Sequence, residues 1–540
     1  MTKKALLFIL LLGVFSPLSL AHAKTSFDEG TGVLTISESV DKESLQAYSD
    51  NTAVKEVVAL KDTKLPADSS ELFSGFKAEK INLSLADTSG VTDMSYMFSD
   101  CDVLKELNLK NIDTSSVTDM QYMFNSCYEL KSLDLSYFNT KKVTNMKYMF
   151  CDMQSLVSAD LQKFDTASVT DMTSMFRGCS SLKDLDVTSF NTGKVETMEM
   201  MFSRCSSLEN IDLSSFSTVN TEDISSMFEG CTKLKSLDIA HFDTSKVIYM
   251  SSVFSECSSL KELDLTNFNR SNATYKSYTF SDCDSLEKIT IGNDFGSITT
   301  SDYLLNGYGW INVNDAFTTV SGTQMYARIT NEGVNTYQRN KTPVGKTGDC
   351  IWTFDPNTGV LTINGTGSIP DFESYLRPDW YKYKTDITKV VIEKGVTSIG
   401  AYAFTDLSAL KYVGISNTVE TIAGSAFQNS KPLYMTIPKN TQLAPKSIGY
   451  NTSETDKYTD FIICGYKGSP AETYASENSF TFIPIGDLNN DNAVNSVDAA
   501  MLLKYITGRS TLNATQLIAA NLTQKTGEDP DLRDVIAILS

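Results

Sequence analysis

The residues of this chain best placed to do chemistry are the side-chain oxygens of a 12-residue stretch near its C-terminal end. They fall at positions 1, 3, 5, 9 and 12 of the stretch, and position 7 can offer a backbone carbonyl. That spacing is typical of a calcium-binding loop, in which carboxylate, amide and carbonyl oxygens surround the ion. The predicted Ca2+ ligands are Asp487, Asn489, Asp491, Ala493, Asn495 and Asp498. A turn rich in Asn and Asp that holds no metal is the alternative.

This loop leads into one helix and follows none. Residues 499–507 form an apolar stretch that predicts a helix, and Gly508 ends it. Residues 483–486 read Ile-Pro-Ile-Gly, a sequence that cannot form a preceding helix. Position 12 is Asp498, where an EF-hand has a bidentate Glu. Asn492 stands at the sharp turn, because Asn tolerates the left-handed backbone better than most residues. The sequence therefore predicts half of an EF-hand.

The half EF-hand resembles a type I dockerin domain over residues 485–540. The resemblance implies a small α-helical module that binds calcium and docks onto a cohesin module of a cellulosome-type scaffold. It also implies that Ser496, Val497 and Lys504 face the cohesin. In the second half of the module, Asn521 is followed by Thr523, and acids come late in the sequence. That departure from the family pattern puts a second calcium site in question.

A separate set of acids recurs every 26 residues. Each lies between two inward-facing residues of a predicted strand, so the carboxylates would stack on the exposed strand face. At a strand spacing of roughly 5 Å, each adjacent pair repels by about 0.8 kcal/mol even in water. The column runs from Asn108 through Asp134, Asp160, Asp186, Asp212, Asp238 and Asp264 to Thr290. It would attract cations or a basic partner. The interpretation we favour is a solvated acid row relieved by hydrogen bonds to neighbouring Ser and Thr.

Residues for catalysis are not evident. His241 is the one histidine outside the first 23 residues, and it has no partner in the sequence pattern. No G-x-S-x-G, H-E-x-x-H or P-loop motif occurs. Glycosidase chemistry needs two carboxylates about 5 to 9 Å apart in a cleft, whereas the acid column lies on an open face. We therefore expect no catalytic residues and no enzyme activity.

The acids of the column are positioned by a 26-residue repeat that fills residues 87–294 with eight units and no insertion. In the unit 113–138, Leu133 and Leu135 alternate as in a strand, whereas Val117, Met120 and Phe124 are spaced as in a helical turn. Each unit is predicted to form one strand and one short helical turn, and successive strands form a parallel sheet. The expected fold is α+β, a repeat solenoid.

This repeat resembles the BspA-type leucine-rich repeats, on the motif V-T-x-M-x-x-M-F in residues 91–98 and 169–176. The resemblance implies an extracellular binding or adhesion solenoid. A second array has a period of 23, in which Ile399 corresponds to Ile422, Phe404 to Phe427 and Leu410 to Leu433. It resembles another kind of BspA-like leucine-rich repeat.

A ten-residue segment at 27–36 returns at 354–363 with eight identities, and each copy precedes an array. Turn residues between two extended runs predict a β-hairpin, which we interpret as a cap over an exposed sheet edge. The predicted domains are a signal peptide (1–23), an N-terminal cap (24–86), the first array (87–295), a closing cap and linker (296–345), the second array with its caps (346–484) and the dockerin (485–540).

Seven of the ten cysteines share one repeat position, and Met153 stands at that position in the remaining unit. Met replaces Cys conservatively only where the position is simply apolar. We therefore predict a column of buried free thiols, with occasional disulfides between neighbouring units as the alternative.

The N-terminal segment and the net charge indicate where the protein is located and which partners are disfavoured. Residues 1–23 combine a basic start, an apolar run and an A-x-A cleavage site, as in a secretory signal peptide. Without Lys3 and Lys4, 44 basic residues face 66 acidic ones. That balance disfavours nucleic acid and anionic lipid as partners, and no membrane span is predicted. We expect a secreted, extracellular protein associated with a scaffold or cell surface.

Two classes of function fit these features. The first is a non-catalytic binding protein whose solenoids recognise an unknown protein or glycan and whose dockerin attaches it to a scaffold for polysaccharide degradation. The second is a dockerin-borne carbohydrate-active enzyme, either a glycoside hydrolase or a polysaccharide lyase. A cell-surface adhesin is a further alternative.

Overall fold

The computed structural model describes residues 24–322, 324–373, 375–451, 456–520 and 529–539. The predicted signal peptide lies outside the described residues. The chain forms two compact units, one of residues up to 305 together with 326–336, the other of 306–325 together with 337–540.

The first unit is a stack of coils that starts with a hairpin. Its strands are β1 (Lys24–Asp28), β2 (Val33–Ser37), β3 (Glu56–Ala59), β4 (Lys80–Asn82), β5 (Glu106–Asn108), β6 (Ser132–Leu133), β7 (Ser158–Ala159), β8 (Glu262–Leu265) and β9 (Lys288–Ile291), with helix α1 (Lys42–Gln46) and 3₁₀ turns at Asn293–Phe295 and Thr300–Asp302. β1 pairs antiparallel with β2, and β2 pairs in parallel with β3. The predicted hairpin over the sheet edge is therefore confirmed.

Hydrogen bonding differs between the two sides of these coils. On the strand side, β2 to β5 form one parallel run, and β6–β7 and β8–β9 form two pairs. Between β7 and β8 the described residues form no strand. On the opposite side, each coil still bonds to the next, as in the bond from Phe176 N to Met201 O at 2.9 Å. The central coils are therefore joined through their turns.

The half of each unit predicted to be a helical turn consists instead of consecutive tight turns. Every unit has a left-handed residue two positions before the core Phe, such as Tyr122 with φ 56° and Met200 with φ 54°. Because of this backbone conformation, successive N–H groups donate to different coils. The amide of Phe124 donates to Met149 O in the next coil at 2.9 Å, whereas that of Asn125 donates to Tyr122 O at 3.1 Å. A helix would keep both bonds within its own turn.

The interior of the coils is a column of stacked Phe rings and a column of thiols. Adjacent rings from Phe98 to Phe280 are stacked with centroids 5.2 to 6.2 Å apart. The column begins earlier than expected, because Phe73 stacks on Phe98 at 5.5 Å within the predicted N-terminal cap. All ten cysteines are free and buried, so the thiol prediction is confirmed. Cys205 Sγ donates to Phe176 O at 3.1 Å, and burial raises the pKa of Cys283 to about 12.

A buried ion pair lies at the end of this unit. Arg270 Nη2 donates to Asp302 Oδ1 at 2.7 Å, and the two residues are 5% and 1% exposed. The guanidinium also lies 4.5 Å from the ring centroid of Phe295. The second carboxylate oxygen of Asp302 accepts from Thr299 N at 2.8 Å, and the first accepts from Thr279 Oγ1 at 3.1 Å. The pair joins the last turns of the stack.

The second unit contains two sheets of mostly parallel strands, antiparallel pairs near its start and a helical end. Its strands are β10 (Trp310–Asn312), β11 (Asp315–Thr319), β12 (Asn335–Arg339, of which 337–339 belong here), β13 (Val344–Thr347), β14 (Cys350–Asp355), β15 (Val360–Gly365), β16 (Gly367–Ile369), β17 (Lys389–Ile392), β18 (Val396–Ile399), β19 (Tyr412–Ile415), β20 (Thr421–Ile422), β21 (Tyr434–Thr436), β22 (Gln442–Leu443), β23 (Ile462–Gly465) and β24 (Thr481–Pro484). Its helices are α2 (Pro470–Asn478), α3 (Ser496–Ile506), α4 (Ala514–Ala520) and α5 (Leu532–Leu539), with a 3₁₀ turn at Asp379–Tyr383.

The second array is built from stacked parallel strands like the first, but the spacing between two of its strands is one residue shorter than predicted. The hairpin β14–β15 pairs in parallel with β17, and a larger sheet then runs through β19, β21, β23 and β24. Phe404 stacks on Phe427 at 5.1 Å, as the period of 23 predicts. The pairing of Leu410 with Leu433 is wrong, since Leu433 is 58% exposed and Pro432 is the buried residue. Tyr412 pairs with Tyr434, a spacing of 22.

The helical end shares a core with the last strands of this array. Cys464 and Ile483, from β23 and β24, cluster with Leu502, Ala520 and Ile538, from the three helices that follow. This core fixes where α3 begins, and hence where the predicted calcium loop lies.

Candidate calcium site and acidic columns

Asp487 opens the predicted calcium loop as a buried carboxylate, 6% exposed. Its oxygens accept from the backbone amides of Asp491 at 3.1 Å and Asn492 at 2.8 Å. Asn490 and Asn492 have left-handed backbones, with φ of 59° and 72°. Asn492 therefore adopts the left-handed backbone expected at the sharp turn. The chain wraps around the Asp487 side chain.

Asp498 closes the loop and is fully buried at 0% exposed. One of its oxygens accepts from Leu488 N at 2.8 Å and Asn489 N at 3.2 Å. The other accepts from Asn495 N at 3.0 Å, which forms a capping box at the start of α3. Asp498 therefore fixes both the loop and the first turn of the helix.

The remaining loop oxygens lie between these two carboxylates along the chain. Asn489 Oδ1 accepts from Asp491 N at 2.9 Å, and Asp491 Oδ1 accepts from Ala493 N at 2.8 Å. Asn495 Oδ1 accepts from Val497 N at 2.8 Å. The six predicted ligands are thus ordered by one set of loop hydrogen bonds.

This donor set fits calcium. Among the described residues, no basic side chain forms an ion pair with Asp487 or Asp498, which leaves two buried carboxylates without a counter-charge. In the same part of the chain, no group of three or more His, Cys, Asp or Glu residues is arranged to hold a metal. The three loop carboxylates, Asp487, Asp491 and Asp498, therefore do not form such a group by themselves; with the amide and carbonyl oxygens of the loop they give the mixture of ligands that calcium accepts.

The three residues expected to face a partner all lie on α3 and are exposed. Val497 is 52% exposed. Lys504 follows it by seven residues, so the two share one side of the helix, and Ser496 adjoins them. The arrangement presents an apolar and a basic side chain together beside the loop.

The second half of the helical module repeats the helix start of the first. Asp531 N donates to Asp534 Oδ2 at 2.9 Å, as Asn495 N donates to Asp498. Asp534 is buried at 2% exposed. Asn521, Thr523 and Lys525 lie outside the described residues. The acids that come late in the sequence therefore begin α5 in the way that Asp498 begins α3.

The acid column on the strand side consists of turn-forming residues. Asp186 Oδ1 accepts from Thr188 N at 3.1 Å and from its hydroxyl at 2.6 Å, and Asp134 bonds to Ser136 in the same way. These bonds hold the pKa values of both carboxyls below their usual range. Asn108, at the same position, accepts from Lys110 N at 3.1 Å. The hydrogen bonds required by the interpretation we favoured are present.

Replacing Asp186 by Ala is expected to lower the free energy of unfolding by about 1 kcal/mol, because the Thr188 amide loses its acceptor. Asp186→Asn keeps that acceptor, as Asn108 does, and is expected to change stability little. Urea unfolding of both variants measures this. Equal destabilisation by Asn and Ala would mean that the charge itself is needed, as in a cation site. Since the pKa is lowered, the contribution of the carboxylate is lost as the pH falls below about 4.

A second acid column, on the turn side, was missed by the sequence reasoning. Asp93, Asp119, Asp171 and Asp223 each accept from the amide two residues later at 2.8 Å. Burial is the main cause that raises the pKa of Asp119. The available signal was the Asp of the repeated T-D-M sequence at Asp93, Asp119 and Asp171, whereas Asp223 lies in Glu-Asp-Ile.

The wider strand-side surface includes an open depression of about 700 Å³ in the central coils. Its lining combines Asp186 and Asp212 with the buried Leu185 and the partly exposed Ile211. It extends from β7 into the neighbouring coils, which form no strands.

Comparison with known families divides the chain in the same way as its geometry. Residues 67–183, 150–237 and 209–315 match the family described as "Mycoplasma protein of unknown function, DUF285". Residues 375–499 match the "BspA type Leucine rich repeat region (6 copies)". Residues 485–524 match the "Dockerin type I domain".

The fold and these matches define a leucine-rich-repeat solenoid protein. More narrowly, the chain contains BspA-type leucine-rich repeats and a type I dockerin domain. Domains of these two kinds are non-catalytic and typical of extracellular proteins, and type I dockerins bind calcium and imply a cohesin partner.

Solved structures with similarity include a leucine-rich repeat protein from Bacteroides ovatus. It is 16% identical, with 86% of this chain and 98% of that chain covered and a TM-score of 0.30. A leucine-rich repeat protein of T. pallidum is 14% identical, with 45% and 91% covered and a TM-score of 0.22. Among curated proteins, none matches the chain. No helix in the described part of the chain is long and apolar enough to cross a membrane.

Proposed function

We propose that the chain is a secreted, non-catalytic binding protein. Its solenoids recognise a protein or a glycan, and its dockerin binds a cohesin in a calcium-dependent way, attaching it to a cellulosome-type scaffold in polysaccharide degradation. The observation that carries this proposal is the pair of buried carboxylates, Asp487 and Asp498, in a loop that leads into the exposed face of α3.

Calcium would be held by the carboxylates of Asp487, Asp491 and Asp498, the amide oxygens of Asn489 and Asn495 and the carbonyl of Ala493. When bound, the ion supplies positive charge that compensates the buried acids. The chain itself fixes the helix, because Asp498 caps α3 and its N-terminal turn carries Ser496 and Val497. The loop that would hold calcium and the turn that carries the cohesin-facing residues therefore share Asp498.

The face toward cohesin consists of Ser496, Val497 and Lys504. The half-exposed Val497 offers an apolar contact that docking can bury, and Lys504 offers a charge at its edge. Nearby, Leu503 is 43% exposed and extends the apolar part of this face. These exposures support the partner role that the family resemblance implies.

The acids of the first array are poor candidates for catalysis. A glycosidase acid must hold its proton near neutral pH, which requires a raised pKa. The pKa values of Asp134, Asp186 and Asp212 are instead lowered by hydrogen bonds, with Ser136 and Thr188 among the donors. This supports the non-catalytic assignment over a glycoside hydrolase that uses this column.

Secretion is proposed from the signal peptide predicted in residues 1–23, and the six predicted segments are retained as part of the proposal. The solenoid ligand would meet exposed side chains of the coils, and the depression beside Asp186 and Leu185 is one such surface.

The test is a pull-down with the whole mature protein, with and without EDTA. We expect capture of a cohesin-bearing scaffold protein that EDTA abolishes, because the cohesin-facing helix depends on the loop. Partners retained in EDTA are ligands of the solenoids. Scaffold capture that is unchanged by EDTA would contradict calcium-dependent docking.

A further inference from the structure

The second array and the candidate calcium loop meet at one edge of the larger sheet. β21, β23 and β24 are neighbouring parallel strands, so their carboxyl ends lie side by side. Lys439 follows β21 by three residues, Lys467 follows β23 by two, and Asp487 follows β24 by three. Two basic residues of the array and the first predicted calcium ligand therefore lie at the same edge of the sheet.

Lys439, Lys467 and Asp487 line one cavity of about 190 Å³, together with Asn492 and Val494 of the loop. The carboxylate is buried, at 6% exposed, whereas both lysines are exposed. Among the described residues, neither lysine forms an ion pair. Their positive charge is therefore not neutralised by another side chain. It acts across the cavity on Asp487 and on any ion that Asp487 holds.

The turns that carry the two lysines keep a fixed position relative to the loop, because the array and the helical module share a core. Cys464 and Ile483, from β23 and β24, cluster with Leu502 of α3. Directly after β24, Ile485 N donates to Gly465 O at 2.8 Å. The array charges and the loop are therefore parts of one packed structure.

Strand spacing determines how far each charge lies from the loop. Neighbouring strands are about 4.8 Å apart, so Lys467 lies one strand, and Lys439 two strands or about 10 Å, from the strand that leads to Asp487. At about 0.1 M salt the screening length is about 10 Å, so both lysines are within reach. Lys394, which follows β17 at the same edge, is four strands or about 19 Å away and is largely screened.

Positive charge at this edge has opposite effects on the two states of the loop. Without a metal it offsets part of the charge of the buried Asp487, and with calcium bound it repels a doubly charged ion. We propose that Lys439 and Lys467 of the second array set the calcium affinity of the loop, by competing with the ion as the source of positive charge beside Asp487. The array thereby raises the calcium concentration at which scaffold docking begins. This inference names a regulation of the proposed calcium-dependent docking and rests on it.

The test is the double substitution Lys439→Gln and Lys467→Gln in the whole mature protein. Calcium titration by calorimetry at about 0.1 M salt is expected to show binding about three- to tenfold tighter than in the parent. At about 1 M salt, where the screening length is about 3 Å, the difference should fall below about twofold. Lys394→Gln is the matched control, and it should bind calcium as the parent does at both salt concentrations.

The melting temperature of the second unit gives a second measurement. In EDTA the double variant should melt below the parent, because Asp487 loses the positive charge at its edge of the sheet. In saturating calcium it should melt at the same temperature as the parent or higher, because the repulsion of the ion is removed. An equal drop in both conditions would contradict the competition, because the lysines would then stabilise the fold whether or not the ion is bound.

Equal calcium affinity of the parent and the double variant at about 0.1 M salt would also overturn the inference. If the affinities are equal while the parent binds calcium and EDTA abolishes scaffold capture, the proposed docking stands without this regulation. If the parent binds no calcium, both the calcium-dependent docking and its regulation are wrong.

Discussion

Replacing Asp302 by Ala is expected to destabilise the first unit by about 3 to 5 kcal/mol. The substitution leaves the Arg270 guanidinium, 5% exposed, without its carboxylate at 2.7 Å. Its Nε and Nη1 already lack partners, and only the bond from Nη2 to Lys276 O at 3.0 Å would remain, which supplies no counter-charge. The amide of Thr299 also loses its bond. Scanning calorimetry should show a lower melting temperature for the first unit alone.

Two further variants distinguish the effect of leaving a buried charge unpaired from the effect of removing a side chain. Arg270→Met combined with Asp302→Asn removes both charges, keeps an acceptor for Thr299, and is expected to be less destabilising than Asp302→Ala alone. Glu262→Ala breaks an exposed pair with Lys288 at 2.9 Å and should change stability by less than about 1 kcal/mol. If Asp302→Ala were no worse than Glu262→Ala, the pair would not hold the end of the stack.

Much of the fold could be predicted from sequence because the repeat is strict. An apolar residue that recurs every 26 residues, such as Phe98 and Phe124, can be buried at every recurrence only if successive coils stack. The substitution of Met153 for Cys identified the thiol position as apolar, and all ten cysteines proved to be buried. The two copies of the hairpin located both caps for the same reason, since a repeated sequence predicts a repeated structure.

The details that sequence missed depend on backbone angles and on distant segments. Apolar residues spaced by three and four fit a helix and also fit successive tight turns, and the left-handed backbone of Tyr122 or Met200 decides between them. Such a backbone is uncommon for these residue types, so composition gives no warning. The slip at Pro432 shifts one strand by one residue within an otherwise regular array. The cavity beside Asp487 brings in residues as distant as Lys439, which no local spacing connects.

The candidate calcium loop could be predicted from sequence because its proposed ligands lie within 12 residues, so their spacing alone indicates the geometry. What spacing could not give is the burial of Asp487 and Asp498, which comes from the core that the helices share with Ile483 and Cys464. Burial makes the two carboxylates dependent on a counter-charge. Loss of a bound cation would therefore lower the free energy of unfolding more than it would for an exposed Asn/Asp-rich turn.

Removing calcium is expected to lower the stability of the helical module, residues 485–539, by about 4 kcal/mol when the ion had been present at roughly 1,000 times its Kd. Asp487 and Asp498 would then be buried and charged, with backbone amides as donors but no counter-charge. Calorimetry in calcium and in EDTA should show a shift in the transition of the second unit, whose last strands share a core with the module, and no shift in the transition of the first unit. Cohesin capture should be lost together with the shift.

Substitutions test whether the stability shift between calcium and EDTA comes from the loop. Asp487→Ala and Asp491→Ala should abolish the calcium-dependent shift, because each removes a ligand, whereas Glu477→Gln, an exposed acid on α2, should retain it. Asp498→Asn should weaken calcium binding yet still cap α3, since an amide oxygen can accept from Asn495 N. A module that melts at the same temperature in calcium and EDTA would support the metal-free turn. In that case Ser496, Val497 and Lys504 would be presented by the capping box alone, and docking would not depend on calcium.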